Sequence, residues 1–186
     1  FNFNIQTHSE YVIIIGDGPI GLIHLQISKL YNAKTIVVGK IPSRLKEAKS
    51  GGADMVLLNN NPDETIKTIL EYTSRKGGKL VVVATSNPDA VDLALKVAGK
   101  NSVVNLFAGM PKNKTLEIDP NLLHYNQICL SGSFSSTPKV MKRATDLVHE
   151  KKIDLKRLIT HRFSIDEIDK ASVSYTHLTL PTTSRV

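Results

Sequence analysis

Residues 11–21 read Tyr-Val-Ile-Ile-Ile-Gly-Asp-Gly-Pro-Ile-Gly, and this stretch decides the fold. Residues 11–15 form an unbroken run dominated by β-branched side chains, with no polar position every second residue, as in a strand buried on both faces. Gly16 ends the run, and a helical pattern follows over 19–31, with Ile20, Ile23, His24, Ile27 and Leu30 on one face. A glycine-rich turn between a buried strand and a helix is the context in which G-x-G-x-x-G carries information. Gly16 permits the tight turn, Gly18 lets a pyrophosphate approach the backbone, and Gly21 lets helix and strand lie close together. The helix start adds unpaired N–H groups and a partial positive charge, so Asp17, Pro19 and Ile20 belong to the same candidate phosphate site.

The pattern continues on both sides of that decision. Strands are expected over 35–38, 55–58, 80–83 and 102–107, and helices over 44–50, 62–74 and 88–97, with Ser43 as a cap for the second helix. Such alternation implies crossover connections and a parallel sheet, an α/β doubly wound Rossmann fold. Beyond Gly109 the period changes. Strands are expected over 116–118, 127–131 and 159–165, a helix over 139–150, and a further helix from 166. Residues 151–156 read as a linker.

The end of the second strand bears on which dinucleotide is held. An acidic residue there would bond the ribose hydroxyls of NAD, but residues 37–44 read Val-Val-Gly-Lys-Ile-Pro-Ser-Arg. Gly39 removes the carboxylate and leaves room, while Lys40, Ser43 and Arg44 supply donors for an extra phosphate. NADP(H) is therefore expected, with NAD(H) as the alternative. Ala84 and Thr85 after the fourth strand, and Phe107, Ala108 and Gly109 after the fifth, would let a cofactor lie across the same edge of the sheet.

Composition narrows the function. The chain has 186 residues and a formal charge of +7, but its Lys and Arg are scattered, which suits a solvated surface better than a polyanion groove. Aromatic residues are 5% with no Trp, a poor inventory for stacking on single-stranded nucleic acid. No apolar run approaches a membrane span, and residues 1–9 lack a signal-peptide pattern. The single cysteine, Cys129, makes no internal disulfide and points to a reducing, cytoplasmic compartment; it is expected as a small buried residue. His8, His24, His124, His149 and His161 offer no HxxxH pair, so neither a metal ligand nor a catalytic residue is assigned.

The stretches VIIIGDGPIGLIHLQISKLYNAKTIVVG, RLKEAKSGGADMVLL, VVVATSNPDAVDLALKVAGKNSVVNLFAG, ICLSGSFSSTPKVMKRATDLV and ITHRFSIDEIDKA together resemble the coenzyme domain of the zinc-dependent medium-chain dehydrogenases, the sorbitol, threonine and polyol dehydrogenase relatives. The resemblance implies that Gly18, Pro19 and Ile20 hold the pyrophosphate and that residue 39 selects between NAD and NADP. It implies that Thr85, Phe107, Ala108 and Gly109 lie near the adenine or nicotinamide half, and residues 127–134 near the nicotinamide and a dimer edge. It further implies a small alcohol or polyol substrate, a homodimer or homotetramer, and zinc held by an N-terminal catalytic domain missing from this chain. The expected organisation is then a lead-in at 1–10, the Rossmann domain at 11–150 and the start of a return segment at 151–172.

Residues 173–186 are expected to be foreign. Val173 to Thr182 is what one reading frame of the transposase adapter used in sequencing libraries encodes, and the stretch is expected to break the helix before it. The chain as given is expected to bind cofactor without turnover. The competing reading is a non-catalytic nucleotide-sensing Rossmann module, which would share the glycine turn. A methyltransferase or a flavoprotein fits less well, because the second strand lacks the acidic ribose ligand.

Overall fold

The computed structural model describes residues 10–179, with side chains as far as Ser174. What the sequence implies for 1–9, His8 included, and for 180–186 lies outside the described residues. The chain divides into two compact units at 154/155.

The first unit holds six parallel strands: β1 (Tyr11–Ile15), β2 (Lys34–Gly39), β3 (Met55–Leu58), β4 (Gly78–Val83), β5 (Ala98–Leu106) and β6 (Cys129–Gly132), in the order β3-β2-β1-β4-β5-β6. The chain therefore winds outward from β1 to β3, returns beside β1 as β4, and winds outward again. Between β1 and β4 the direction of winding reverses, which opens a crevice beyond their carboxyl ends. The helices are α1 (Pro19–Leu30), α2 (Pro42–Ser50), α3 (Pro62–Tyr72), α4 (Asp89–Val97), α5 (Pro120–Asn126) and α6 (Pro138–His149).

β1 is central because its residues serve two cores at once. Val12 and Ile14 pack with Leu25 of α1 and Leu45 and Ala48 of α2 on one face. Ile13 and Ile15 pack with Ile69 of α3 and with Val91, Leu93 and Ala94 of α4 on the other. All four of these strand residues are buried, each contributing roughly 2 kcal/mol of transfer free energy. A charge at any of them would have no water on either side.

Local sequence did not decide several elements. Helix α2 starts at Pro42 with Ile41 before it and no side-chain cap, so Ser43 lies inside the helix and is not its cap. Strand β5 begins at Ala98, directly after α4, earlier than the expected 102. Residues 116–118 are not a strand; Leu116 and Ile118 lie in a loop and pack against the α3/α4 core, so their alternation reflects covering and not pairing. Gln127 closes α5 in the left-handed conformation (φ 54°), which delays β6 to Cys129. Cys129 is exposed, contrary to expectation, because β6 is the sheet's last strand and its first residue has no neighbour outside it.

In the second unit, residues 159–165 form no strand. Short 3-10 turns at Lys156–Leu158 and Ile165–Glu167 flank them, and Ile159 and Ile165 are exposed. The last helix, α7 (Ile168–Thr179), runs through Val173 without the expected break.

Candidate functional site

The glycine turn sits at the crevice between β1 and β4, and its glycines are not equivalent. Gly16 has φ +130°, and a Cβ there would lie 2.8 Å from the carbonyl oxygen of Ala84. Gly21 has no room either, since a Cβ would overlap the carbonyl oxygen of Gly16. Both are fixed by the chain's own packing. Gly18 is different: its φ is −77°, which any residue adopts, and a Cβ would meet nothing within 4 Å. Nothing among the described residues requires glycine at this position. A glycine here leaves the backbone open to a ligand running over it.

The start of α1 is open in the same direction. Gly18 precedes the helix, offers no side-chain cap, and accepts only the N–H of Leu22 at 3.0 Å. The N–H groups of Ile20 and Gly21 have no acceptor among the described residues, and Pro19 has none to offer. These two donors and the helix's positive end suit an anion. A diphosphate therefore suits the residues present: open space beside Gly18 and donors at Ile20 and Gly21.

The corner is tied to its neighbours by backbone bonds. Gly16 N–H donates to Val38 O at 2.8 Å, Ala84 N–H to Ile15 O at 2.8 Å, and the N–H groups of Phe107 and Ala108 both donate to Val83 O at 3.1 Å. Ser133 N–H donates to Leu106 O at 3.1 Å, and Asn105 Nδ2 donates to Ser133 Oγ at 2.8 Å. The expected residues Ala84, Thr85, Phe107, Ala108 and Gly109 thus follow strands that lie side by side on one edge. Gly109 and also Gly132, which ends β6, have open space where a Cβ would stand. Gly132 is a position sequence reading missed as an individual residue; its signal is a glycine at the end of a strand, facing nothing. His24 of α1 meets the Phe107 ring edge-on, with centroids 4.6 Å apart. Burial lowers the His24 pKa below its ordinary 6.5, which favours the uncharged ring in this contact.

The expectation at Gly39 needs correction. The room left by the missing side chain is filled by Asp17: a Cβ on Gly39 would overlap Asp17 Oδ2 and lie 2.6 Å from its Cγ. Asp17 is buried (8% exposed), and its Oδ2 accepts the N–H groups of Lys40 at 2.9 Å and Ile41 at 2.7 Å. The backbone donors at the end of β2 are therefore already engaged. Lys40 is exposed and Arg44 half-buried at the start of α2.

Zinc finds no such fit. Among the described residues no three His, Cys, Asp or Glu side chains cluster to hold an ion.

A six-stranded parallel sheet in this order, with an open glycine turn at its winding reversal, defines a dinucleotide-binding Rossmann domain. The chain belongs to the zinc-dependent medium-chain dehydrogenase family: residues 19–150 match the zinc-binding dehydrogenase family. It is similar to sorbitol dehydrogenase of Halalkalibacterium halodurans (31% identical over 169 residues, 87% of this chain and 47% of that one). It is also similar to D-arabitol-phosphate dehydrogenase of Enterococcus avium (32% over 170 residues, 87% and 47%). Among solved structures, benzyl alcohol dehydrogenase of Acinetobacter calcoaceticus shares the fold, with a TM-score of 0.84 at 24% identity, over 95% of this chain and 49% of that one. The chain spans about half the length of the curated relatives it matches.

Proposed function

We propose that this domain holds a nicotinamide dinucleotide for a dehydrogenase that moves hydride between the coenzyme and a secondary alcohol, of the small alcohol or polyol class. The observation that carries the reading is Gly18, a glycine that the fold does not need, set beside two free N–H donors at a helix start. The names of the relatives, sorbitol and arabitol-phosphate dehydrogenases, support the substrate class. Hydride chemistry belongs to the bound coenzyme. The chain's part is to fix the diphosphate at Gly18 to Gly21 and to leave the Phe107–Gly109 edge low enough for the nicotinamide to lie open. That second requirement favours an enzyme over a nucleotide sensor, since a sensor has no need of an exposed nicotinamide.

At the ribose, Lys40 and Arg44 favour a 2′-phosphate and the Asp17 carboxylate opposes it. The chain as given is further proposed to bind coenzyme without turning substrate over. The outer edge of β6 is the surface through which self-association is proposed. No helix among the described residues is long and apolar enough to cross a membrane, and a cytoplasmic setting remains part of the proposal.

The test is a fluorescence titration of the purified chain with NADH and NADPH, repeated on Gly18→Val. The variant should lose about 2 kcal/mol of binding, roughly 30-fold, with an unchanged melting temperature, because its side chain enters open space. Unchanged affinity would refute the assigned phosphate site. Zinc-dependent turnover of a polyol panel by the chain alone would refute the binding-only reading.

A further inference from the structure

The dehydrogenase reading leaves one buried charge unused. Asp17 stands second in the glycine turn, where the phosphate site asks nothing of a carboxylate. Its side chain reaches across to the end of β2 and fills the volume in which a side chain on residue 39 would begin. That is where a Rossmann domain ordinarily carries the acid that bonds the adenosine ribose. Here the acid arrives from the β1–α1 turn, and Gly39 is the vacancy that admits it.

The carboxylate is fixed and only half used. Both of its hydrogen bonds end on Oδ2, from the Lys40 and Ile41 N–H groups, and neither partner is a cation. Oδ1 has no partner among the described residues. A carboxylate held by two backbone amides and 8% exposed keeps its position in a poorly screened environment. The Lys40 side chain that would compensate it is exposed, where screening and side-chain entropy reduce its pull.

We propose that Asp17 is the specificity residue of this site: Oδ1 accepts from the ribose 2′-hydroxyl, and its charge disfavours a 2′-phosphate, so the domain takes NAD(H) in preference to NADP(H). The proposal rests on the reading that the turn binds a dinucleotide, and it reverses the preference expected from Gly39, Lys40 and Arg44 alone. It also explains why Gly39 and Asp17 occur together, since each occupies what the other leaves.

The experiment is a pair of fluorescence titrations, NADH and NADPH, on the full 186-residue chain and two variants. Wild type should bind NADH about tenfold more tightly than NADPH, the scale of one charge-assisted hydrogen bond. Asp17→Asn keeps the shape and removes the charge, and should bring the two affinities together or invert them. The double variant Asp17→Gly/Gly39→Asp moves the carboxylate to the end of β2 and should restore the NADH preference. Glycine is needed at 17 there because the Asp17 Cβ itself would stand 2.5 Å from a Cβ on residue 39. A wild-type preference for NADPH overturns the assignment. So does an Asp17→Asn variant that weakens both dinucleotides equally, which would make Asp17 a structural clamp only. A double variant that melts normally but favours NADPH overturns it as well. Binding of neither dinucleotide by wild type overturns the coenzyme reading, and this assignment with it.

Discussion

Strand β2 has an aspartate at each end, and the two are treated in opposite ways. At the amino end, Asp54 Oδ2 accepts the N–H of Thr35 at 2.7 Å, its hydroxyl at 2.9 Å and the Lys29 ammonium at 3.0 Å. At the carboxyl end, Asp17 receives two amides on one oxygen and no cation. The first joins α1, β2 and the turn before β3, and its charge is neutralised within the fold. In both, every hydrogen bond ends on Oδ2, but only the second has no cation beside it. The counter-charge is what separates them: the Lys29 ammonium balances Asp54 within the fold, whereas Asp17 is held by backbone amides alone.

Breaking this contrast begins with Gly21→Ala, because not everything at the carboxyl edge is reserved for a ligand. A methyl there collides with the Gly16 carbonyl, and a loss of about 3 kcal/mol of stability is expected by chemical denaturation. A wild-type unfolding midpoint would mean the corner is looser than drawn.

Asp54→Ala sharpens the amino-end side. Removing a partly exposed carboxylate with three donors should cost about 1–2 kcal/mol at neutral pH and leave dinucleotide affinity unchanged. Partial burial pushes the Asp54 pKa up, but the Thr35 and Lys29 hydrogen bonds and the Lys29 charge outweigh it, and the pKa falls below its ordinary 3.8. A depressed carboxylate pKa stabilises the fold above the unfolded value, and the contribution is lost as pH falls through the folded value. The gap between wild type and variant should therefore narrow under acid below that ordinary value. A gap independent of pH would assign the effect to packing.

The smallest effect is expected at Asn61→Ala. Asn61 begins α3 at the same edge as Gly18, but its side chain accepts the N–H groups of Asp63 and Glu64. Loss of that cap should cost about 1 kcal/mol with no change in coenzyme affinity. Weakened binding would mean that capped and uncapped helix starts are not functionally distinct.

The legibility of the sequence follows the same division. β1 and β3 fall where their apolar runs begin and end, and the glycine turn lies where its spacing puts it, because those signals are local. Leu116 and Ile118 misled, since an alternating apolar pair suits a covering loop as well as a strand. Cys129 misled because edge position is a property of the sheet and not of its neighbours in the chain. The Asp17–Gly39 contact was the hardest to see. Its partners are 22 residues apart, and each alone reads as an ordinary member of a glycine motif or a strand end.

The backbone ties beyond the strand ends have a thermodynamic consequence. Gly16 is bonded to β2, Ala84 to β1, and Phe107 and Ala108 to β4, so the floor of the crevice is tied down by the chain's own hydrogen bonds. A binding partner that lands on a preformed floor loses little of its affinity to loop ordering. The modest surface of a dinucleotide is then enough, and association should proceed in one step with no slow phase of assembly behind it.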